Sequence, residues 1–141
     1  MKGKLFLVEW DADAAAGQAD ALRREGWQVH VESENGGRAY RHIRTSVPDA
    51  VVIDLRHKAS HGREVGSALR ELRATRSVPI VCIEEGEDAR EQTRARIDGV
   101  QFASPEALSY TIADATRAAR ESVKKVTARG RTPSTLTRRR G

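Results

Sequence analysis

Five short apolar segments, separated by stretches with helical periodicity, constrain the fold of this chain more than any other feature. The segments have the length of strands, and we predict strands at residues 4–8, 27–31, 50–55, 78–83 and 99–103. Helices are predicted at residues 14–24, 37–43, 63–73, 88–97 and 106 to about 126. Strands that alternate with helices in this way predict a parallel sheet, because parallel neighbours need crossover connections.

The strand order follows from general rules for such sheets. Right-handed crossovers leave few arrangements for five strand–helix units. We predict an α/β, flavodoxin-like fold, a five-stranded parallel sheet of order 2-1-3-4-5 with helices on both faces. Ligand sites in open sheets lie beyond the carboxyl ends of the strands, where the strand order reverses. That point falls between strands 1 and 3, so Glu9, Trp10 and Asp11 should face Asp54.

The third segment, PDAVVIDL, contains an acid, Asp54, near its end that has to be explained. A carboxylate that is buried without a partner is costly, and Asp54 closes an otherwise apolar run. Acids gathered at one edge of a sheet repel each other unless a proton or a cation relieves them. Mg²⁺ is the expected cation, because it prefers one or two carboxylates together with waters and phosphate oxygens.

The charge of the chain is divided unevenly. Residues 117–141 carry nine Lys or Arg and one acid, a net +8 within a whole-chain charge of +5, which leaves −3 for residues 1–116. We predict a folded domain at residues 1–127 and a basic, disordered tail at residues 128–141.

The single cysteine, Cys82, excludes an intramolecular disulfide and is predicted to be a core residue. Without a membrane-length apolar run or a signal peptide, the chain is expected to be cytoplasmic and not bound to a membrane.

At these residues the sequence resembles the receiver domains of two-component response regulators, over about residues 4–120. LFLVEWD resembles the first strand of the family with its acidic pair, and PDAVVIDL resembles the third strand, which ends on the phospho-accepting aspartate. Gly62, the segment SVPIVCIEE and the pair Ser104-Pro105 fall at further family positions. The resemblance implies a stand-alone receiver module of phosphorelay signal transduction, a phosphoprotein and not an enzyme, which takes its phosphoryl group on Asp54.

The resemblance also implies a set of metal ligands. Glu9 matches the first acid of the family's pair, and Asp54 and the backbone carbonyl of Arg56 are implied as further ligands. Trp10 occupies the place of the second acid, and Asp11 next to it is expected to substitute. Because Trp cannot ligate Mg²⁺, we expect Mg²⁺ binding to be weak or absent.

Two more positions depart from the family pattern. Glu84 stands where the family has Ser or Thr, and Ser104 stands where it has Lys. The pocket therefore gains an anion and loses a cation, so a phosphoryl group of about −1.5 to −2 charge would meet repulsion. Lys58 or Arg56 could reach over the site and pair with Glu84, and Lys58 is the predicted compensating cation. We expect an atypical receiver with weakened phosphorylation of Asp54.

Two classes of function stay open at this point. The first is the phospho-accepting module, with a histidine kinase or phosphotransfer protein upstream and a protein partner downstream. The second is a phosphorylation-independent pseudo-receiver that binds a protein or, through its basic tail, nucleic acid; self-association into a homodimer fits either class. His57 and His61 are predicted to be structural or exposed and not metal ligands. The absence of a GxGxxG motif, a P-loop and a nucleophile arrangement argues against nucleotide binding and hydrolysis.

Overall fold

The computed structural model describes the backbone of residues 2–140 and the side chains of residues 2–124. Its strands are β1 (Gly3–Val8), β2 (Trp27–Glu32), β3 (Ala50–Asp54), β4 (Ile80–Ile83) and β5 (Gln101–Phe102). Its helices are α1 (Ala12–Arg24), α2 (Gly36–Thr45), α3 (Ala59–Glu71), α4 (Glu87–Arg96) and α5 (Leu108–Arg140), and a 3₁₀ turn (Pro105–Ala107) precedes α5. Residues 128–140, predicted to be part of a disordered tail, continue α5 in the backbone, whereas their side chains lie outside the described residues. The predicted division into a domain and a tail stays a prediction.

The strands form one parallel sheet in the order β2-β1-β3-β4-β5, which confirms the predicted topology. Successive side chains of a strand point to opposite faces, so an apolar strand supplies both faces of the sheet. On β1, Leu5 and Leu7 pack in the core beneath α1 and α5, whereas Phe6 and Val8 pack in the core beneath α2 and α3. The prediction of helices on both faces is therefore confirmed.

The register of the strands brings their carboxyl ends to one edge. Val8 pairs with Ile53, and Asp54 pairs with Ile83, so β1, β3 and β4 end close together. Cys82 on β4 is fully buried, as predicted, and burial raises the pKa of its thiol. Among the residues that the structure describes, no helix is long and apolar enough to cross a membrane.

Several element boundaries differ from the predicted ones. α3 begins at Ala59, four residues before the predicted start, because Lys58 adopts a left-handed conformation (φ 48°) that turns the chain directly into the helix. The early start brings Gly62 against the end of β3, where an added Cβ would lie 2.5 Å from Leu55 Cδ2. β4 begins only at Ile80, because Pro79 has no N–H to donate to the sheet.

Candidate functional site

Two carboxylates meet at the carboxyl edge of the sheet. Asp54 is the last residue of β3, Glu9 directly follows β1, and both residues are fully buried. Glu9, Asp54 and His57 each offer one atom that can ligate a metal ion, and these three atoms lie within 4.8 Å of one another. The expectation that Glu9 faces Asp54 across the switch in strand order is met.

The Asp54 carboxylate accepts hydrogen bonds on both oxygens. Arg56 donates from its backbone N–H and from Nε to Oδ1, each at 3.0 Å, and from Nη2 to Oδ2 at 2.7 Å. Gln18, on α1, donates from Nε2 to Oδ2 at 2.7 Å. Burial is the largest influence and pushes the pKa of Asp54 upward, but the hydrogen bonds with Arg56, Glu9 and Gln18 together outweigh burial and hold the pKa well below its usual range. Asp54 is therefore an ionised carboxylate throughout the physiological pH range.

The Glu9 carboxyl group is held differently. Its Oε1 accepts a hydrogen bond from the backbone N–H of Asp11 at 3.0 Å and lies 3.1 Å from His57 Nδ1. Its Oε2 is buried and has no partner among the described residues. Burial, followed by the neighbouring Asp54, raises the pKa of Glu9 to about 7. A proton shared with Asp54, or a cation, is what can satisfy Oε2 in this pocket.

Neither residue that follows Glu9 in the chain joins the two carboxylates. Asp11 Oδ1 accepts from the backbone N–H groups of Asp13 and Ala14, at 3.0 and 3.1 Å, and so caps α1. The Trp10 ring lines a cavity of about 600 Å³ between α2 and α3, and its centroid lies 6.0 Å from that of His61. The structure gives the Asp11 side chain a capping role, and its predicted role as a metal ligand stays a prediction.

His57 is the site residue that the sequence analysis assigned to a different role. It was expected to be structural or exposed, and its side chain is indeed about half exposed (47%), but Nδ1 reaches Glu9. Sequence reasoning set it aside because it and His61 are in a loop without further His or Cys neighbours. Its partner is the carboxylate of Glu9, just after β1, which only the fold brings to it, whereas Asp54 lies three residues before it in the chain.

Glu84 is neutralised by a residue that the sequence analysis did not name for this role. Arg63, on α3, donates from Nη2 to Glu84 Oε2 at 2.7 Å, and Thr93, on α4, donates from Oγ1 to Oε1 at 2.6 Å. All three side chains are buried or nearly so. Neither Lys58 nor Arg56 pairs with Glu84 in the described residues, so the expected pairing is corrected to Arg63.

The remaining sequence candidates lie at the margin of the pocket. Lys58 lines the same cavity as Trp10, and within residues 2–124 it takes part in no ion pair. Ser104 is exposed, and its Oγ accepts from the backbone N–H of Ala107 at 3.3 Å, which caps the 3₁₀ turn. The cation that the structure places on Asp54 is the Arg56 side chain. The Arg56 backbone carbonyl stays a predicted ligand.

No protein-family model and no curated protein matches the sequence. Solved receiver-type structures do match the fold. Chemotaxis protein CheY4 of Vibrio cholerae has a TM-score of 0.69 at 18% identity, covering 79% of this chain and 97% of its own. The signal receiver domain of a histidine kinase from Syntrophus aciditrophicus has a TM-score of 0.68 at 17% identity, covering 82% and 91%. The receiver domain of a Pseudomonas aeruginosa sensor histidine kinase, with a magnesium ion in its active-site cleft, has a TM-score of 0.69 at 19% identity, covering 81% and 97%.

The structural similarity extends over most of the domain and is not confined to one motif. They cover about four fifths of this chain and nine tenths or more of each matched chain. At identities below a fifth they establish the fold, which is that of receiver domains. The chemistry has to be argued from the pocket itself.

Proposed function

We propose that this protein is an atypical receiver module of phosphorelay signalling, in which Asp54 accepts a phosphoryl group. The observation that carries the proposal is the state of Asp54: a buried, ionised carboxylate at the carboxyl end of β3, beside a second acid, in a sheet of order 2-1-3-4-5. On this account the protein is a signalling module and no classical enzyme. A histidine kinase or phosphotransfer protein supplies the phosphoryl group, and a protein partner reads the result.

The proposed step is a direct displacement at phosphorus. An oxygen of the Asp54 carboxylate attacks the phosphorus of the donor, and a new P–O bond forms. The bond from phosphorus to the donor atom, an imidazole nitrogen or the oxygen of a small phosphodonor, breaks, and the donor leaves with its electron pair. The product is an acyl phosphate on Asp54. The depressed pKa of Asp54 supports this step, because the carboxylate needs no deprotonation before it attacks.

Arg56 controls access to the carboxylate in this proposal. Its guanidinium and backbone N–H occupy both Asp54 oxygens, so the side chain must turn aside before phosphorus can approach. Its side chain is one third exposed (33%), which leaves room for that movement. Once turned, the guanidinium can pair with the phosphoryl oxygens and supply the cation that Ser104 does not. Arg56 would therefore slow the phosphorylation of Asp54 and also stabilise the acyl phosphate once it has formed.

The pocket also suits a divalent cation. Glu9 Oε2 is a buried carboxylate oxygen without a partner among the described residues, and it lies beside Asp54. Glu9 and Asp54 would hold the ion, which would neutralise the phosphoryl oxygens and align the reactants. Mg²⁺ is the ion that the receiver fold implies, and one of its solved relatives holds it.

The residues around Glu84 give this module a different route for its signal. Glu84 is tied to α3 by Arg63 and to α4 by Thr93, so the end of β4 carries no free hydroxyl that could turn toward a new phosphoryl group. The Arg56 side chain is the group whose position must change when Asp54 is modified. We therefore propose that the partner-binding surface responds to Arg56 and the loop after β3.

Beryllofluoride, a tetrahedral mimic of an aspartyl phosphoryl group, tests the proposal. Fluorine NMR of the full chain with beryllofluoride and excess Mg²⁺ should show bound resonances for the wild type and none for Asp54→Asn. Bound resonances that persist in Asp54→Asn would place the anion elsewhere and contradict the assignment. Absence of bound resonances in the wild type would overturn phosphorylation and leave a module that acts by binding alone.

A further inference from the structure

Two kinds of donor atom meet in the Asp54 pocket. Glu9 and Asp54 offer carboxylate oxygens and His57 offers an imidazole nitrogen, all within 4.8 Å of one another. In the part of the chain that the structure describes, this is the one such group of three metal-ligating side chains. His57 Nδ1 already lies 3.1 Å from Glu9 Oε1 and is half exposed, so its ring can reach an ion from the solvent side.

The second observation is the unsatisfied oxygen of Glu9. The residue is fully buried (0% exposed), and Oε2 has no hydrogen-bond donor among the described residues. A buried polar atom in this condition costs free energy that a bound cation would remove. Oε2 can therefore accept a cation in place of the proton that it would otherwise share with Asp54.

The donors do not match the set that Mg²⁺ prefers. Mg²⁺ takes oxygen ligands in near-ideal octahedral geometry, whereas imidazole suits divalent transition ions such as Co²⁺ and Zn²⁺. After Glu9, Trp10 has no oxygen to offer, and Asp11 is engaged in capping α1. Among the metal-ligating side chains of the described residues, His57 is the one that joins these two acids within 4.8 Å.

We propose that Glu9, Asp54 and His57 form a site that binds a divalent first-row transition ion in preference to Mg²⁺. The inference rests on the proposed function, because the ion would bind in the Asp54 pocket and would contact the oxygens of the phosphoryl group on Asp54. It does not require that phosphorylation be observed, because binding of the ion is measured by itself. His57 is the residue that decides the preference, since it supplies the nitrogen.

Arg56 competes with the ion for Asp54. The pocket contains two acids and one guanidinium, and that guanidinium contacts both Asp54 oxygens. A divalent ion on Asp54 would repel Arg56 and displace it toward solvent. Removal of the guanidinium should therefore tighten ion binding, and it would also leave Asp54 without its strongest partner.

Titration of the full-length protein with Co²⁺ and with Mg²⁺ tests the inference, with calorimetry for affinity and visible absorption for the Co²⁺ ligand field. The wild type should bind Co²⁺ at least about tenfold more tightly than Mg²⁺. His57→Ala should lower Co²⁺ affinity by about ten- to a hundredfold, change the absorption spectrum and leave Mg²⁺ affinity unchanged. Arg56→Gln should raise the affinity for both ions.

Two histidine controls make the experiment specific. His61→Ala removes a ring that faces Trp10 outside the cluster, and His42→Ala removes one member of a stacked histidine pair, 3.9 Å from His30. Both variants should bind Co²⁺ like the wild type. Loss of binding in His42→Ala instead of His57→Ala, or equal affinity of the wild type for Co²⁺ and Mg²⁺, would overturn the inference. Thermal melts without metal should show that each variant is folded.

The outcomes for the ion and for phosphorylation can be told apart. Co²⁺ binding that depends on His57, in a protein that never binds beryllofluoride, would support the metal site and contradict the phosphoryl acceptor. Beryllofluoride binding that depends on Asp54, with no effect of His57→Ala on ion preference, would support the acceptor and contradict the transition-metal site.

Discussion

Arg63 and Glu84 form a buried ion pair in which Arg63 Nη2 lies 2.7 Å from Glu84 Oε2. The pair joins α3 to the end of β4, and Thr93 extends it to α4 through hydrogen bonds to both partners. An acid at the end of an apolar strand is tolerated here because a guanidinium and a hydroxyl satisfy its two oxygens. The same contacts fix Glu84 at a position where a receiver pocket of the usual kind would carry a mobile hydroxyl.

Removal of Arg63 should be strongly destabilising. Arg63→Met leaves the Glu84 carboxylate buried without its cation, and the loss should be roughly 3–5 kcal/mol in the free energy of unfolding. Urea denaturation measures it. The matched control is the double variant Arg63→Met/Glu84→Gln, which removes both charges and should recover part of the loss. A single variant as stable as the wild type would show that the ion pair contributes nothing.

Arg56, and not Lys58, should stabilise a phosphoryl group on Asp54. Arg56→Gln removes the charge-assisted hydrogen bonds to the phosphoryl group, worth about 1.5–3 kcal/mol, so the phosphorylated fraction that survives after the phosphodonor is removed should fall about ten- to a hundredfold, although the unblocked carboxylate should gain the group faster. Lys58→Gln removes an equal charge from a residue that lines the neighbouring cavity and should leave the fraction near that of the wild type. Quantitative mass spectrometry after incubation with a small phosphodonor gives the answer. The opposite ranking would restore Lys58 as the compensating cation.

Two glycines should respond in opposite ways to alanine. Gly66, inside α3, packs against fully buried Ile97, and an added Cβ would lie 2.9 Å from Ile97 Cγ1, which should cost roughly 1–3 kcal/mol of stability. Gly17, inside α1, has open space at its Cβ position, and alanine there should stabilise the protein by about 0.5–1 kcal/mol. Urea midpoints of the two variants should move in opposite directions. Stabilisation by both would contradict the described packing of α3, and destabilisation by both would contradict the open space at Gly17.

The stacked histidine pair should make stability depend on pH. Partial burial, and then the nearby His42, lowers the pKa of His30 below its usual value. The folded protein therefore binds a proton at His30 less readily than the unfolded chain does, so stability rises with pH across this titration. The contribution is complete above the unfolded pKa of about 6.5 and is lost as the pH falls toward the folded pKa. Glu9, whose pKa is raised, contributes the opposite slope equally to both proteins, so the free energy of unfolding of the wild type minus that of His30→Gln, measured by urea denaturation, should rise between pH 5 and pH 7. A difference that stays constant with pH would contradict the prediction.

The fold was predictable because each strand is a short apolar run and each connection is helical. The residues of β3 and β4 could hardly be placed other than inside a sheet, and the crossover rules then restrict the strand order. The same reasoning placed Glu9 opposite Asp54, since the carboxyl ends of neighbouring parallel strands share an edge.

The contacts within the pocket could not be read from the sequence. Arg56 contacts Asp54, whereas Lys58, in a left-handed backbone conformation, lines the neighbouring cavity, and the sequence alone does not tell the two basic residues apart. Arg63 reaches Glu84 because α3 begins at Ala59 and packs against β3 and α4, which periodicity alone does not specify. His57 likewise gains its partner Glu9 from the sheet edge and not from its neighbours in the chain.

The most direct test of the central claim is the intact mass of the full-length protein after incubation with a divalent cation and a small phosphodonor, with Asp54→Asn alongside. The account predicts a gain of one phosphoryl group in the wild type and none in Asp54→Asn. No gain in the wild type, with Mg²⁺ and with Co²⁺ alike, would contradict it. A gain of equal size in Asp54→Asn would contradict it as well, because the acceptor would then be another residue.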